Sequence, residues 1–126
     1  MTMTDKELLC SIKTRIADAK RNSKARTGAR GRFNLTVSAV KTIFQMQNGR
    51  CLVTGIAFTP VVQGNDRKET NPWTTFSIDR IDNNKGYTQD NIRLVTNALN
   101  IARRDRSIEL SKKHWEDFKK VMKELL

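Results

Sequence analysis

The chain has 126 residues, enough for one modest domain with a small core and too few for two. It carries 24 Lys and Arg against 13 Asp and Glu, a formal charge of +11. That is the footprint of a polyanion binder, and it points to nucleic acid ahead of an anionic membrane surface, since no apolar run approaches a spanning length. Cys10 and Cys51 are too few for a disulfide framework, and the N-terminus has no apolar h-region, so a reduced, cytoplasmic compartment is expected. Acid gathers at Asp79, Asp82 and Asp90, between two basic flanks able to grip phosphates.

In chain order, Thr4-Asp5-Lys6-Glu7 fits a capping box. Leu8, Leu9, Ile12, Ile16 and Ala19 then follow along one helical face, predicting a helix from about residue 5 into the low twenties. Lys20 to Arg32 is basic without any acid, and Gly28 and Gly31 interrupt a helix there. This reads as a flexible or extended arm, with Arg26, Arg30 and Arg32 able to order on a phosphate backbone. Thr36 is the expected N-cap of a second helix with an apolar face of Val37, Val40, Ile43 and Phe44, ended by Asn48-Gly49. That helix looks structural.

Arg50 to Phe58 reads as a strand and turn or a small hairpin. Cys51-x-x-Thr54 has zinc-knuckle spacing with one thiol, and its other half would fall on Thr96 and Leu99, so packing rather than zinc is expected there. Residues 59–75 are loop-like, with Trp73 read as a core or loop anchor. Phe76 to Ile81 is strand-like, Asn83-Asn84-Lys85-Gly86 is turn chemistry, and Asn91 to Val95 alternates as a half-buried strand. Thr96 is the expected N-cap of a helix through Ala98, Leu99, Ala102 and Arg103. This places the Asp79 carboxylate at a strand end and the Asn100 carboxamide in the first turns of the next helix, where packing can converge both oxygens on one cation. Ile101 to Arg106 continues helical and very basic. Leu110 and Trp115 frame Ser111 as the start of a last helix with Trp115, Phe118, Met122 and Leu125 as a core stripe. His114, the sole histidine, reads as structural on that helix.

Asp79-Arg80-Ile81, Asn91-Ile92-Arg93-Leu94-Val95 and Asn100 with Arg103 together resemble the HNH (His-Me finger, ββα-metal) nuclease superfamily. Around them, Arg32-Phe33-Asn34-Leu35-Thr36, Gln47 to Gly55 and Lys85-Gly86-Tyr87-Thr88 look like small phage and prophage HNH-type proteins; the likeness spans roughly residues 30–106. It implies an α+β fold: a basic helix and arm over 1–32, a ββα-metal core over 33–106, and a C-terminal helix over 107–126 packing on it. It further implies a metal-dependent DNA endonuclease, with Asp79 and Asn100 as ligands of one Mg²⁺ or Mn²⁺ ion and Asn91 organising the loop. Double-stranded or branched DNA is the implied partner, with a homodimer left open, and Arg26, Arg30, Arg32, Lys85, Arg93, Arg103 and Arg104 are the candidate phosphate contacts.

One position departs from the family pattern. Arg80 stands where the superfamily has its general-base histidine, and a guanidinium does not accept a proton. Either Asp82 or the more remote His114 serves as base, or solvent takes the proton, or the chain does not cleave. Arg80 would then clamp the scissile phosphate. Two rivals stand beside the nuclease: a non-catalytic DNA-binding module on the same fold, and a phage protein-interaction module using the terminal helices.

Overall fold

The computed structural model describes residues 3–61 and 73–103, together with positions 116 and 120, both helical. Helix α1 spans Asp5–Lys24, and its start is the predicted capping box: Thr4 Oγ1 accepts from Glu7 N at 3.1 Å and Glu7 Oε1 accepts from Thr4 N at 2.9 Å. Helix α2 spans Val37–Met46, with Thr36 Oγ1 accepting from Ala39 N at 3.1 Å. It ends where the sequence indicates, as Asn48 and Gly49 take φ of 54° and 65°. A Cβ at Gly49 would also press on the Phe44 ring at 3.1 Å.

Strands β1, Phe76–Arg80, and β2, Ile92–Thr96, pair antiparallel with Phe76 opposite Thr96 and Asp79 opposite Arg93. Their β-branched and aromatic content suits a pleated surface covered on both sides, and every residue in both strands is buried. Helix α3, Asn97–Arg103, follows β2 without a loop. The protein is thus α+β, three helices around a two-stranded antiparallel sheet among the described residues. None of these helices is long and apolar enough to cross a membrane.

Side-chain alternation sends Phe76 and Ser77 to opposite faces of the sheet. On one side Phe76 meets Phe44 of α2 and Phe58, with ring centroids 5.6–6.1 Å apart, in the tilted arrangement aromatic pairs prefer. Leu8, Ile12 and Ala19 of α1 join Val40 and Leu94 in the same core. On the other side Ser77 Oγ donates to Asn97 Oδ1 at 2.9 Å, and the first amides of α3 donate to the Thr75 and Trp73 carbonyls at 2.8 and 3.2 Å. Those bonds seat α3 beside β1. Arg15 locks α1 to the same strand, Nε donating to Phe76 O at 2.7 Å and Nη2 to Thr75 Oγ1 at 2.8 Å.

Three expectations change. Residues 50–58 form no strand: the tight turn is held by one antiparallel bridge, Arg50 to Ala57, because Gly55 takes φ of 74° and reverses the chain at once. Trp73 is no anchor, being 77% exposed, and only its carbonyl is used. The arm after α1 is no flexible linker. Gly28–Gly31 is a 3₁₀ turn, and Phe33 bridges Tyr87 in parallel, with Asn34 N donating to Tyr87 O at 3.2 Å. The helix expected over 107–126, with His114 and Trp115, lies outside the described residues apart from positions 116 and 120.

Candidate functional site

The turn between β1 and β2 is built by one side chain. Asn91 Oδ1 accepts from Asp82 N at 2.9 Å, while Nδ2 donates to Asp82 O at 3.1 Å and to Gly86 O at 2.8 Å. Asn91 is 4% exposed, so its amide satisfies backbone groups that water does not reach. Asp82 turns into the loop, its Oδ1 accepting from Asn84 N at 2.9 Å in an Asx turn. Gly86 lets the arm approach: a Cβ there would lie 2.1 Å from the Arg32 carbonyl oxygen. Gln89 completes the seam, its N donating to Asn34 Oδ1 and its Nε2 to Asn34 O.

Arg80, the last residue of β1, is 6% exposed. Its Nη1 donates to the Asn83 and Lys85 carbonyls at 2.9 and 3.1 Å, and its guanidinium stands 5.6 Å from the centre of the Tyr87 ring. Arg26, from the turn after α1, stands 5.7 Å from the same ring. One residue earlier on β1, Asp79 is 5% exposed and accepts from Arg93 Nε at 3.1 Å, a buried cross-strand ion pair.

These elements enclose an open cleft of about 190 Å³, lined by Asn22, Arg26, Asp79, Arg80, Asn83, Tyr87 and Asn100. The structure therefore brings Asp79, Arg80 and Asn100 to one place, from the end of β1 and the first turns of α3. Asp82 is not among the lining residues, since its carboxylate is turned onto the loop backbone. Among the described residues no three His, Cys, Asp or Glu side chains gather as a ready-made metal cluster.

The expected phosphate contacts divide. Arg30, Arg32 and Lys85 are exposed, and Arg26 is half-buried at the cleft. Arg93 is a correction: it is 9% exposed and its Nε holds Asp79, so it orients a carboxylate instead of meeting a backbone from solution. The Arg103 side chain and Arg104 lie outside the described residues.

Sequence reasoning missed three structural polar groups: Arg15, Gln47 and the Cys51 thiol. Gln47 pairs with the outer edge of β2 as a strand would, its Oε1 accepting from Leu94 N at 3.0 Å and its Nε2 donating to Leu94 O at 2.9 Å. The Cys51 thiol accepts from Thr54 N and Thr96 N at 3.5 and 3.4 Å, which brings the two halves of the knuckle-like spacing together by backbone hydrogen bonds. Asn22 at the cleft was also missed, and Tyr87 entered only as part of Lys85-Gly86-Tyr87-Thr88, without a role of its own. Comparison with known proteins returned no matching family model, no matching curated protein and no matching solved structure.

Proposed function

We propose that the chain is a metal-dependent DNA endonuclease whose β1–loop–β2–α3 unit is a ββα-metal site of the HNH type. The observation that carries this reading is that Asp79 and Asn100 line one cleft although they arise from different elements. Both offer hard oxygen donors, and two such donors leave room for water and a phosphate oxygen around magnesium or manganese. Bound there, the ion supplies Lewis acidity toward the phosphate and the leaving oxygen.

The protein's own groups have separable tasks. Asp79 and Asn100 would hold the ion. Arg93 fixes the direction of the Asp79 carboxylate. Asn91 and Arg80 hold the loop through side-chain bonds to five backbone groups of four residues: Asp82 N, Asp82 O, Asn83 O, Lys85 O and Gly86 O. Arg80 adds positive charge beside the cleft and takes no proton. With Asp82 turned onto Asn84 N, the proton of the attacking water passes to solvent. Exposed Arg30, Arg32 and Lys85 supply sequence-independent attraction for duplex or branched DNA.

A second reading, a DNA-binding module that does not cleave, is favoured by one specific observation: the residue at the base position is an arginine bonded to its own loop. Nicking of supercoiled plasmid in magnesium or manganese separates the two. The nuclease reading expects cleavage that drops at least about 100-fold in Asp79→Asn and in Asn100→Ala; since Asp79→Asn also leaves the buried Arg93 charge without its partner, circular dichroism at the assay temperature checks that each variant is folded. Undiminished cleavage in both variants overturns the site. Salt-dependent duplex binding with no cleavage in either metal selects the second reading.

A further inference from the structure

Besides Asp79 and Asn100, the cleft is lined by two residues from a part of the chain the HNH resemblance does not cover, Asn22 and Arg26, and by Tyr87. Asn22 belongs to the last turn of α1 and Arg26 follows its C-cap, Ala25. Tyr87 comes from the loop, held by the Phe33 bridge. The polar groups of these three residues have capacity left. Tyr87 is 8% exposed, yet its hydroxyl bonds to no described group. A buried phenol normally finds a partner, because leaving it without one costs free energy. The Asn22 carboxamide is exposed and bonds to no described group, so it is open to a ligand without strain. Arg26 makes one long contact, Nη1 to Asn22 O at 3.3 Å, and has no acidic partner among the described residues.

The balance of charge states what would enter. Two guanidiniums, Arg26 and Arg80, border the cleft, and its single described carboxylate, Asp79, already holds Arg93. Among the described residues the cleft offers hydroxyl, amide and guanidinium donors, the set that recognises a phosphate. Its volume of about 190 Å³ far exceeds the roughly 10–15 Å³ one water needs, so a phosphodiester group has room.

We propose that Asn22, Arg26 and Tyr87 form a phosphate-binding subsite that seats one backbone phosphate of a nucleic acid against the Asp79–Asn100 wall. Arg26 supplies the charge, and the Tyr87 hydroxyl and Asn22 amide fix its orientation. The guanidiniums over the Tyr87 ring hold the phenol in place. The helix before the motif thus belongs to the site. Its position beside the reacting bond rests on the nuclease reading; its affinity for phosphate does not.

The test is equilibrium binding of a short mixed-sequence DNA duplex to the full chain, with a chelator present, across a series of salt concentrations. Tyr87→Phe keeps the ring and removes only the hydroxyl; it should bind about ten-fold more weakly with an unchanged salt slope, the size of one charge-assisted hydrogen bond. Arg26→Gln should reduce the slope of log K against log salt by about 0.9, one phosphate contact. If one phosphate bridges both groups, the double variant loses less than the sum of the two. Tyr87→Phe binding as tightly as the unmodified protein overturns the subsite, and so does duplex binding without any Arg26 contribution. Metal-free chelator conditions keep this independent of cleavage: a protein that never nicks but shows both losses retains the subsite and loses the nuclease reading.

Discussion

The β1–β2 loop and the end of α1 face one cleft, yet they use their polar groups in opposite ways. In the loop, Asn91, Arg80 and Asp82 are turned onto backbone amides and carbonyls. At the end of α1, Asn22 and Arg26 make almost no bonds within the protein. A segment whose side chains satisfy its own backbone is rigid and sets shape. A segment with donors left over is able to meet a ligand. The residues that most resemble a family motif therefore build the frame, and a neighbour without any motif holds the donors that the proposed subsite would use.

Removing the frame is the strongest way to break that contrast. Asn91→Ala leaves the Asp82 amide without its partner and removes one of two bonds from each of the Gly86 and Asp82 carbonyls, which keep Thr88 N and Lys85 N; at about 1–3 kcal/mol for the orphaned amide and about 1 kcal/mol for each lost bond the protein should lose roughly 4 kcal/mol. Urea denaturation measures it; a loss under about 1 kcal/mol would mean the loop holds itself without Asn91.

Next in size is the seam between the two regions. Gly86→Ala puts a methyl group 2.1 Å from the Arg32 carbonyl oxygen, and forcing that backbone apart should cost about 3 kcal/mol. Because the arm then leaves the loop, amide hydrogen exchange should rise at Asn34, whose N–H donates to Tyr87 O. Unchanged protection at Asn34 would show that the arm docks by other contacts.

The smallest effect sharpens the comparison at the loop's exposed rim. Thr88 Oγ1 donates to Asp90 Oδ1 at 2.6 Å, and this bond, aided by the Asp90 backbone amide, holds the Asp90 carboxyl below its ordinary range. A depressed folded value adds stability above the ordinary aspartate range, and that stability is lost as the pH falls through the folded value. In Thr88→Val the Asp90 titration followed by NMR should move upward, with the rest of the loop unchanged. No movement would assign the depression to the backbone.

Much of the local structure was readable because it depends on near neighbours. The Thr4 capping box, the Thr36 cap, the Asn48-Gly49 stop and the two strands each follow from residues within a few positions. Arg93 was misread because its charge alone suggested a surface contact, whereas antiparallel register sets it opposite Asp79. Trp73 was misread because size suggested burial, while its neighbourhood leaves the ring in solvent. Asp82 reads from the sequence as a candidate base two residues after Arg80, but β1 ends at Arg80 and the Asx turn redirects the carboxylate.

By itself, the sequence determined where the helices and strands lie, where the chain turns, and that Asp79 and Asn100 fall at the ends of adjoining elements. Those features follow from hydrophobic period, capping and turn chemistry, which act over a few residues. Only the tertiary structure decided which residues share their cleft. Asn22 and Tyr87 are 65 positions apart, and they line one cleft because the Phe33 bridge and the close approach at Gly86 fold the arm onto the loop. No local pattern records a contact of that span, since it depends on two backbones meeting where one residue has no side chain.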